Sequence, residues 1–451
     1  GSTWLLVPKG FAEWSPKVLS GELLSEELSE AKPLSYAFYL NYSFSFVPGG
    51  EGEFKLIIEY WAPYVALIEE PHGIFFSTQV SASPGDDVEV KVALPPGASS
   101  QVEVYGALSH RVEVVDGRVW VLVEGPVASG RLTVEFELPS KQASLVSVEE
   151  GCFKATAPSR YLDIARDIVE LYAELYPELR DLFNLELDEV EVRLYVPDAE
   201  DIAQGVGGFV PFRAGKPGEI NLNVFYVRAV EGTMEVIALH ELIHHFLWRA
   251  GIEPSLLWVH EGLAEYLSIE LGKQAGLGEG VEDREVALSS VASQLPSYGF
   301  VEDWSFNQPG DLTSYYAASY MVFKRLADEY GGLELYDKFF NCTRSRAPVD
   351  ESSEAVECLS LAAGVDLKPL FASWGFELGG EGVKELARSL EEELSQLPDW
   401  CQPARMLAHL ALWASEALAD VGLQDAARLA LSLAKEALKH GETVSLLAYL
   451  I

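Results

Sequence analysis

The spacing of apolar residues changes near Pro139, and this change limits the folds that the chain can adopt. Before it, short runs such as 54–60 and 132–138 alternate apolar and polar residues, and turns rich in Gly, Pro and Asp separate them. Short alternating strands at regular intervals are typical of a β-sandwich. After it, helical spacing dominates, beginning with an apolar stripe in 161–183. We therefore predict a multidomain α+β fold.

The chain has 451 residues, more than the roughly 100–200 of a usual domain. The pattern predicts an all-β sandwich domain at 3–148, a domain of mixed strands and helices at 149–398, and a C-terminal helical hairpin at 399–451. Within the second domain, a strand at 190–196, a glycine-rich loop at 205–218 and a strand at 219–227 precede two long helices.

The charge of the chain restricts its partners. Lys and Arg number 32 against 70 Asp and Glu, which gives a formal net charge of −38. A surface this acidic repels phosphates and anionic lipid headgroups, so we expect no nucleic-acid partner. The longest apolar runs are shorter than the roughly 18 residues needed to cross a bilayer, so we also expect no membrane insertion.

Four cysteines bear on the cellular compartment. Their spacing does not match a cysteine zinc site, and an even number favours disulfides and export. Pairing Cys342 with Cys358 closes the shortest loop, although three pairing schemes are open. The initial Gly1-Ser2 resembles a scar of tag removal, which would have cut away a leader, and the apolar run at 444–451 would fit the start of a missing C-terminal anchor. We expect an extracellular or cell-surface protein.

One motif carries chemistry. His240 and His244 flank Glu241 in a His-Glu-x-x-His pattern inside a periodic helix. Four helical residues advance about 6 Å and turn roughly 40° past a full circle, so both imidazoles leave one face and can reach one metal ion. A second helix supplies Glu261 as a third ligand, and Glu265, one turn later, can accept a hydrogen bond from His240.

These motifs resemble the gluzincin zinc metallopeptidases, in the peptidase MA-like branch related to M1 aminopeptidases and thermolysin. The resemblance covers about residues 150–395. It implies a thermolysin-like α/β zinc peptidase domain with one Zn2+ held by His240, His244 and Glu261, and Glu241 as the general base.

The resemblance also implies that the substrate backbone pairs with an edge strand at 219–227, with Gly207, Gly208 and Asn221 as substrate-binding residues. Tyr316, with Tyr315 as the alternate, corresponds to the tyrosine that donates a hydrogen bond to the oxyanion in M1-like relatives. The acidic residue of the M1 substrate-amine motif has no counterpart at 207–211, so both endopeptidase and aminopeptidase modes are open.

The sequence therefore predicts zinc-dependent hydrolysis of peptide or protein substrates. Two alternatives are open: a zinc-bearing binding or cell-surface protein without catalysis, and a structural protein in which the motif is a coincidence. His245 is interpreted as a structural or exposed residue, and His260 as a helix-surface residue. The natural substrate and the oligomeric state do not follow from the sequence.

Overall fold

The computed structural model describes residues 1–9, 13–30, 38–78, 87–125, 131–139, 143–213, 215–306, 311–378, 406–414, 430 and 433–434. The chain divides into two compact units. The first comprises residues 1–350 and 354–367, and the second comprises 351–353 and 368–451. The proposed domain boundaries at 148 and 398 stay predictions.

The first part of the chain is rich in β-strands, as predicted. Its described strands are β1 (Ser2–Pro8), β2 (Trp14–Ser20), β3 (Glu22–Glu30), β4 (Tyr39–Val47), β5 (Lys55–Tyr60), β6 (Ala66–Glu69), β7 (His72–Phe76), β8 (Glu89–Ala93), β9 (Val102–Tyr105), β10 (Arg111–Val115), β11 (Arg118–Glu124) and β12 (Thr133–Glu137). They form antiparallel sheets in the orders β1-β4-β3, β2-β5, β6-β7-β12-β9 and β10-β11-β8.

Two apolar cores hold these sheets in pairs. Val121 and Val123 of β11 pack with Val134 and Phe136 of β12, so the third and fourth sheets share one core. Tyr42 and its neighbours on β4 pack against β2 and β5 in a second core. In each case alternate side chains point inward, which is the period-two pattern of the sequence.

A mixed five-stranded sheet follows, in the order β13-β14-β15-β19-β16. Its strands, with the adjoining β17–β18 hairpin, are β13 (Leu145–Glu150), β14 (Phe153–Pro158), β15 (Val190–Tyr195), β16 (Gly208–Phe209), β17 (Phe212–Arg213), β18 (Lys216–Pro217) and β19 (Ile220–Asn223). The pairs β14/β15 and β15/β19 are parallel.

The prediction that residues 219–227 form an edge strand is wrong. β19 lies between β15 and β16, and a 3-10 helix, Val224–Arg228, follows it. The segment before it, predicted as a loop, folds back because Asn223 binds it twice: its backbone N–H donates to the Gly207 carbonyl, and its Nδ2 donates to the Val206 carbonyl at 2.8 Å. The short strand β16 is therefore the edge on this side.

Two helices of the first unit pack against this sheet, other helices pack on those two, and the second unit contains helices as well. The helices are α1 (Leu162–Phe183), α2 (Ala199–Gln204), α3 (Thr233–Arg249), α4 (Leu257–Ala275), α5 (Glu279–Ala292), α6 (Leu312–Tyr330), α7 (Leu333–Arg346), α8 (Ser352–Ala363) and α9 (Lys368–Ser373). A mixed α+β fold with a C-terminal helical part agrees with the prediction. No described helix is long and apolar enough to cross a membrane.

The packing of α4 on α6 depends on one glycine. A β-carbon on Gly262 would lie 2.8 Å from the carbonyl oxygen of Ser319 and 2.7 Å from the Phe323 ring. Contacts this short do not occur for real β-carbons, so only glycine permits this approach. Because Gly262 follows Glu261 in the sequence, the contact brings α6 close to one of the predicted metal ligands.

The cysteine prediction is confirmed in part. Cys342 of α7 and Cys358 of α8 form a disulfide. Cys152 is a free thiol, and Cys401 lies outside the described residues. Most of the predicted hairpin at 399–451 also lies outside them, although residues 406–414 are helical.

Candidate metal centre

Helix α3 is largely buried and keeps several of its ionisable residues away from water. Most of its residues are buried, because apolar side chains cover nearly its whole circumference. Glu241 and His244 are themselves buried, each 6% exposed. The neighbouring helix α4 is buried in the same way and contributes Glu261. Charged groups in such surroundings need a partner or a metal ion.

The three predicted ligands converge. The Nε2 atom of His240 lies 3.1 Å from Glu261 Oε2, and the Nε2 atom of His244 lies 3.6 Å from that same oxygen. Ligands held about 2.0–2.1 Å from a tetrahedral ion are separated by about 3.3 Å, so this spacing fits one ion. Among the described residues, His240, His244 and Glu261 form a group able to bind a metal ion.

The protonation of the ligands follows from burial and neighbouring charge. Burial lowers the pKa of His244 to about 3, so this imidazole is neutral and has a lone pair to offer. For His240, burial acts to lower the pKa, but the hydrogen bond to Glu261 and the nearby carboxylates outweigh it and raise the pKa to about 9. A metal ion binding at His240 must therefore displace a proton.

Glu261 stays ionised despite its burial. Burial acts to raise its pKa, but the adjacent imidazoles of His244 and His240, the latter hydrogen-bonded to it, outweigh burial and lower the pKa below the usual value. An ionised carboxylate is the form that binds a cation. The donor set of two imidazoles and one carboxylate, which leaves a fourth position for water, is typical of catalytic zinc sites.

His260 is not a surface residue, and that interpretation was wrong. It is 1% exposed, because α4 is covered on all sides. Its Nε2–H donates to the carbonyl of Ile252 at 3.0 Å, which leaves Nδ1 as an acceptor 3.2 Å from the Nδ1 of His244. His244 therefore carries its proton on Nδ1 and presents the Nε2 lone pair towards Glu261. No sequence pattern indicated this contact, since His260 lies on a different face of the helix from Glu261.

Glu265 lies close to His240, as predicted, but its main partner is another residue. Its Oε1 is 3.8 Å from His240 Nδ1, beyond hydrogen-bond distance. Arg284 of α5 donates from Nε to Glu265 Oε2 at 3.0 Å and from Nη2 to Oε1. Burial acts to raise the pKa of Glu265, but Arg284 and His240 lower it below its usual value. Sequence reasoning missed Arg284, since no motif marks it.

Glu241 lies beside the ligands without being one of the three. Burial raises its pKa to about 8; the charge of His240 opposes this shift, while Glu261 and Glu265 add to it. A carboxyl group with a pKa near neutrality can both accept and return a proton. Its side chain also contacts β16, because a β-carbon on Gly208 would lie 3.0 Å from Glu241 Oε1.

Two of the three predicted substrate-binding residues lie against side chains of α3, and the third is on the neighbouring strand β19. A β-carbon on Gly207 would lie 3.0 Å from Ile237 of α3, and Gly208 lies against Glu241. Asn221 is on the interior strand β19, pairs with Phe209 and donates its side-chain amide to the Glu219 carbonyl. A role in substrate binding stays a prediction for all three.

Tyr316 lies on the turn of α6 that precedes the contact with Gly262. Burial raises its pKa well above the usual value, and the negative charges of Glu261, Glu265 and Glu241 add to that shift. The hydroxyl group therefore stays protonated and can donate a hydrogen bond. The alternate, Tyr315, stacks on Trp304 with ring centroids 5.3 Å apart.

Comparisons with known proteins do not identify the chain. It matches no protein-family model and no curated protein sequence. Among solved structures it is similar to native leukotriene A4 hydrolase from Saccharomyces cerevisiae, at 13% sequence identity, over 88% of this chain and 67% of that chain, with a TM-score of 0.37.

Proposed function

We propose that the chain is a zinc-dependent metallopeptidase of the gluzincin type, with a thermolysin-like peptidase domain at 149–398. The observation that supports this most is the convergence of two imidazoles from α3 and a carboxylate from α4 around one point, with the carboxyl group of Glu241 alongside. His240, His244 and Glu261 would hold one Zn2+. When bound, zinc lowers the pKa of water to near 7 and polarises a carbonyl group.

Glu241 is the proposed general base. Its raised pKa suits it to take the proton of the attacking water and to return it to the leaving amine. Burial keeps bulk water from competing for that proton. Tyr316 would donate a hydrogen bond to the carbonyl oxygen as negative charge develops there.

Strand β16 is the proposed place for the substrate backbone. It is the edge of the five-stranded sheet and lies against Glu241, so an extended peptide added there would pass the base. Gly207 and Gly208 would lie beside that peptide, and Asn221 one strand further in. Neither endopeptidase nor aminopeptidase cleavage is favoured by this arrangement.

The disulfide and the charge support two further proposals. A disulfide between Cys342 and Cys358 suits an oxidising compartment, so we propose an exported protein that acts extracellularly or at a cell surface. The net charge of −38 disfavours nucleic acid as a partner.

The test is metal-dependent cleavage of a mixed peptide library, with fragments identified by mass spectrometry. We expect cleavage by the purified protein, loss of cleavage after removal of metal with a chelator, and recovery with zinc but not with magnesium. Fragment ends would also distinguish endo- from exopeptidase action. Bound zinc without cleavage of any peptide would instead favour the non-catalytic binding protein.

A further inference from the structure

The turn between α3 and α4 is held by a segment that is distant in sequence, residues 347–349, directly after α7. The Val349 N–H donates to the Gly251 carbonyl at 2.8 Å, and the Glu253 N–H donates to the Val349 carbonyl at 2.9 Å. Val349 pairs here with Ile252 in an isolated parallel bridge, and both side chains are buried. The backbone of the turn is therefore fixed from outside the two helices that carry the predicted metal ligands.

Gly251 brings the turn and this segment into direct contact. Its φ is +83°, and a β-carbon on it would lie 2.4 Å from the β-carbon of Ala347 and 3.4 Å from the Thr343 carbonyl oxygen. Only glycine tolerates both this backbone conformation and this close approach. The turn therefore packs directly on residues 343–347, and because packed groups leave little free space, a shift of that segment would be passed to the turn.

The peptide group between Ile252 and Glu253 links this bridge to the metal centre. Its N–H donates to Val349, and its carbonyl oxygen accepts the 3.0 Å hydrogen bond from Nε2 of His260. A peptide group is planar, so the hydrogen bond on one side of it fixes the direction of the carbonyl on the other side. His260 in turn accepts the proton of His244 Nδ1, at 3.2 Å, and so orients a predicted ligand.

A disulfide closes the segment that contains Val349. Cys342 lies near the end of α7 and Cys358 lies in α8, so the bond ties together the two helices between which Val349 is found. The two cysteines are 16 residues apart, and a covalent link across so short a loop opposes local opening of the chain inside it. The position of Val349 therefore depends on the disulfide as well as on its own hydrogen bonds.

We propose that the disulfide-closed segment 342–358 positions the zinc ligand His244. It acts through three groups in contact with one another: Val349, the peptide group after Ile252, and His260. This inference rests on the zinc centre proposed above. Without the disulfide, the segment is freer to leave the turn, the acceptor of His260 is no longer fixed, and the imidazole of His244 loses its set orientation. The disulfide-bonded form is therefore the form that holds zinc most tightly.

The test measures the zinc affinity of the full chain by competition with a chromogenic chelator, so the readout does not depend on peptide cleavage. We expect Cys342→Ser/Cys358→Ser to bind zinc about 3- to 10-fold more weakly than wild type, less than the loss of about 10- to 100-fold usual when the partner that orients a ligand is removed. Cys152→Ser, at the free thiol, is the matched control and should bind zinc like wild type.

A double-variant cycle distinguishes positioning from general stability. His260→Phe removes the link between the turn and His244, so in this background the loss of the disulfide should cause no further loss of zinc affinity. Equal losses with and without His260 would show that the disulfide acts through stability alone and would overturn the proposal. Wild-type zinc affinity in Cys342→Ser/Cys358→Ser would overturn it as well.

Val349→Ala guards against misfolding of the protein that lacks the disulfide. It shortens a fully buried side chain, leaves the disulfide intact and should weaken zinc binding by about 3-fold, less than loss of the orienting partner itself would cause. Val121→Ala, at an equally buried valine of β11, is its control. Equal zinc affinity of these two variants would contradict the role given to Val349.

The outcomes for the inference and for the proposed function can be told apart. Zinc affinities that follow the expected pattern without any peptide cleavage would support the inference and contradict the peptidase function. A wild type that binds no zinc would overturn both.

Discussion

Gly208 lies against Glu241 so closely that a β-carbon on it would come within 2.9 Å of the Glu241 Cγ and 3.0 Å of the Asn221 carbonyl oxygen. The edge strand β16 and the side chain of Glu241, the proposed base, are therefore in close contact. Neither atom can move away easily, since the Glu241 Cγ belongs to a buried side chain and the Asn221 oxygen belongs to the backbone. The absence of a side chain at Gly208 is therefore a condition for the present position of Glu241.

Gly208→Ala should displace Glu241 and lower kcat by at least about 10-fold, in the manner of a small misplacement of a catalytic group. Zinc content should not change, because the atoms nearest to a β-carbon at this position belong to Glu241 and Asn221, which are not among the proposed ligands. Gly50→Ala is the control, since a β-carbon there meets no atom within 4 Å. Full activity of Gly208→Ala would show that the contact does not position the base.

His260→Phe should weaken zinc binding by about 10- to 100-fold, as expected when the partner that orients a metal ligand is lost. The phenyl ring keeps the volume but cannot accept the proton of His244 Nδ1. Competition with a zinc chelator measures the affinity. His110→Ala, at an exposed histidine, should bind zinc like wild type. Equal affinity in all three proteins would refute the role given to His260.

The disulfide between Cys342 and Cys358 should stabilise the fold by about 3 kcal/mol, the value typical of a loop of this length. Denaturant unfolding with and without a thiol reductant would measure it. The double variant Cys342→Ser/Cys358→Ser should unfold equally easily in both conditions. Cys152→Ser, at the free thiol, should keep the wild-type response. An unfolding free energy of the wild type that does not change when the reductant is added would contradict this prediction.

His245 should make stability depend on pH. Burial lowers its pKa to about 4, against 6.5 for an exposed imidazole. Below pH 6.5 the unfolded chain therefore binds a proton that the folded chain does not. The contribution of His245 to the free energy of unfolding is fully present above pH 6.5. It decreases by about 1.4 kcal/mol per pH unit as the pH falls from 6.5 towards 4. His245→Phe should reduce the slope of the unfolding free energy against pH over this range by about 1.4 kcal/mol per pH unit. An unchanged slope would show that His245 is not buried as a neutral group.

The convergence of His240, His244 and Glu261 could be predicted because it depends on local geometry. Helical spacing alone puts His240 and His244 on one face, and the periodicity of the next helix indicates Glu261. The same local reasoning failed for His260, since it assumed that α4 has an exposed face. Nothing in the sequence says that α3, α5 and α6 cover that helix.

Contacts that depend on tertiary placement could not be predicted. Arg284 reaches Glu265 only because α5 is held in position, in part by Lys9 of the β-rich region, whose ammonium lies 2.9 Å from Glu279 and 3.0 Å from Asp283. No spacing rule links residue 9 to residue 283. Similarly, β16 has two residues and no apolar alternation, so it carries no strand signal of its own.

The most direct test of the central claim is zinc content and peptide hydrolysis measured together on wild type and Glu241→Gln. The amide keeps the shape of the side chain but cannot take a proton, and Glu241 is not among the three ligands. We predict one zinc per chain in both proteins and a loss of hydrolysis in the variant of about 10²- to 10⁴-fold. A variant that binds zinc and keeps near wild-type turnover would contradict the role of Glu241, and a wild type that binds no zinc would contradict the metal centre itself.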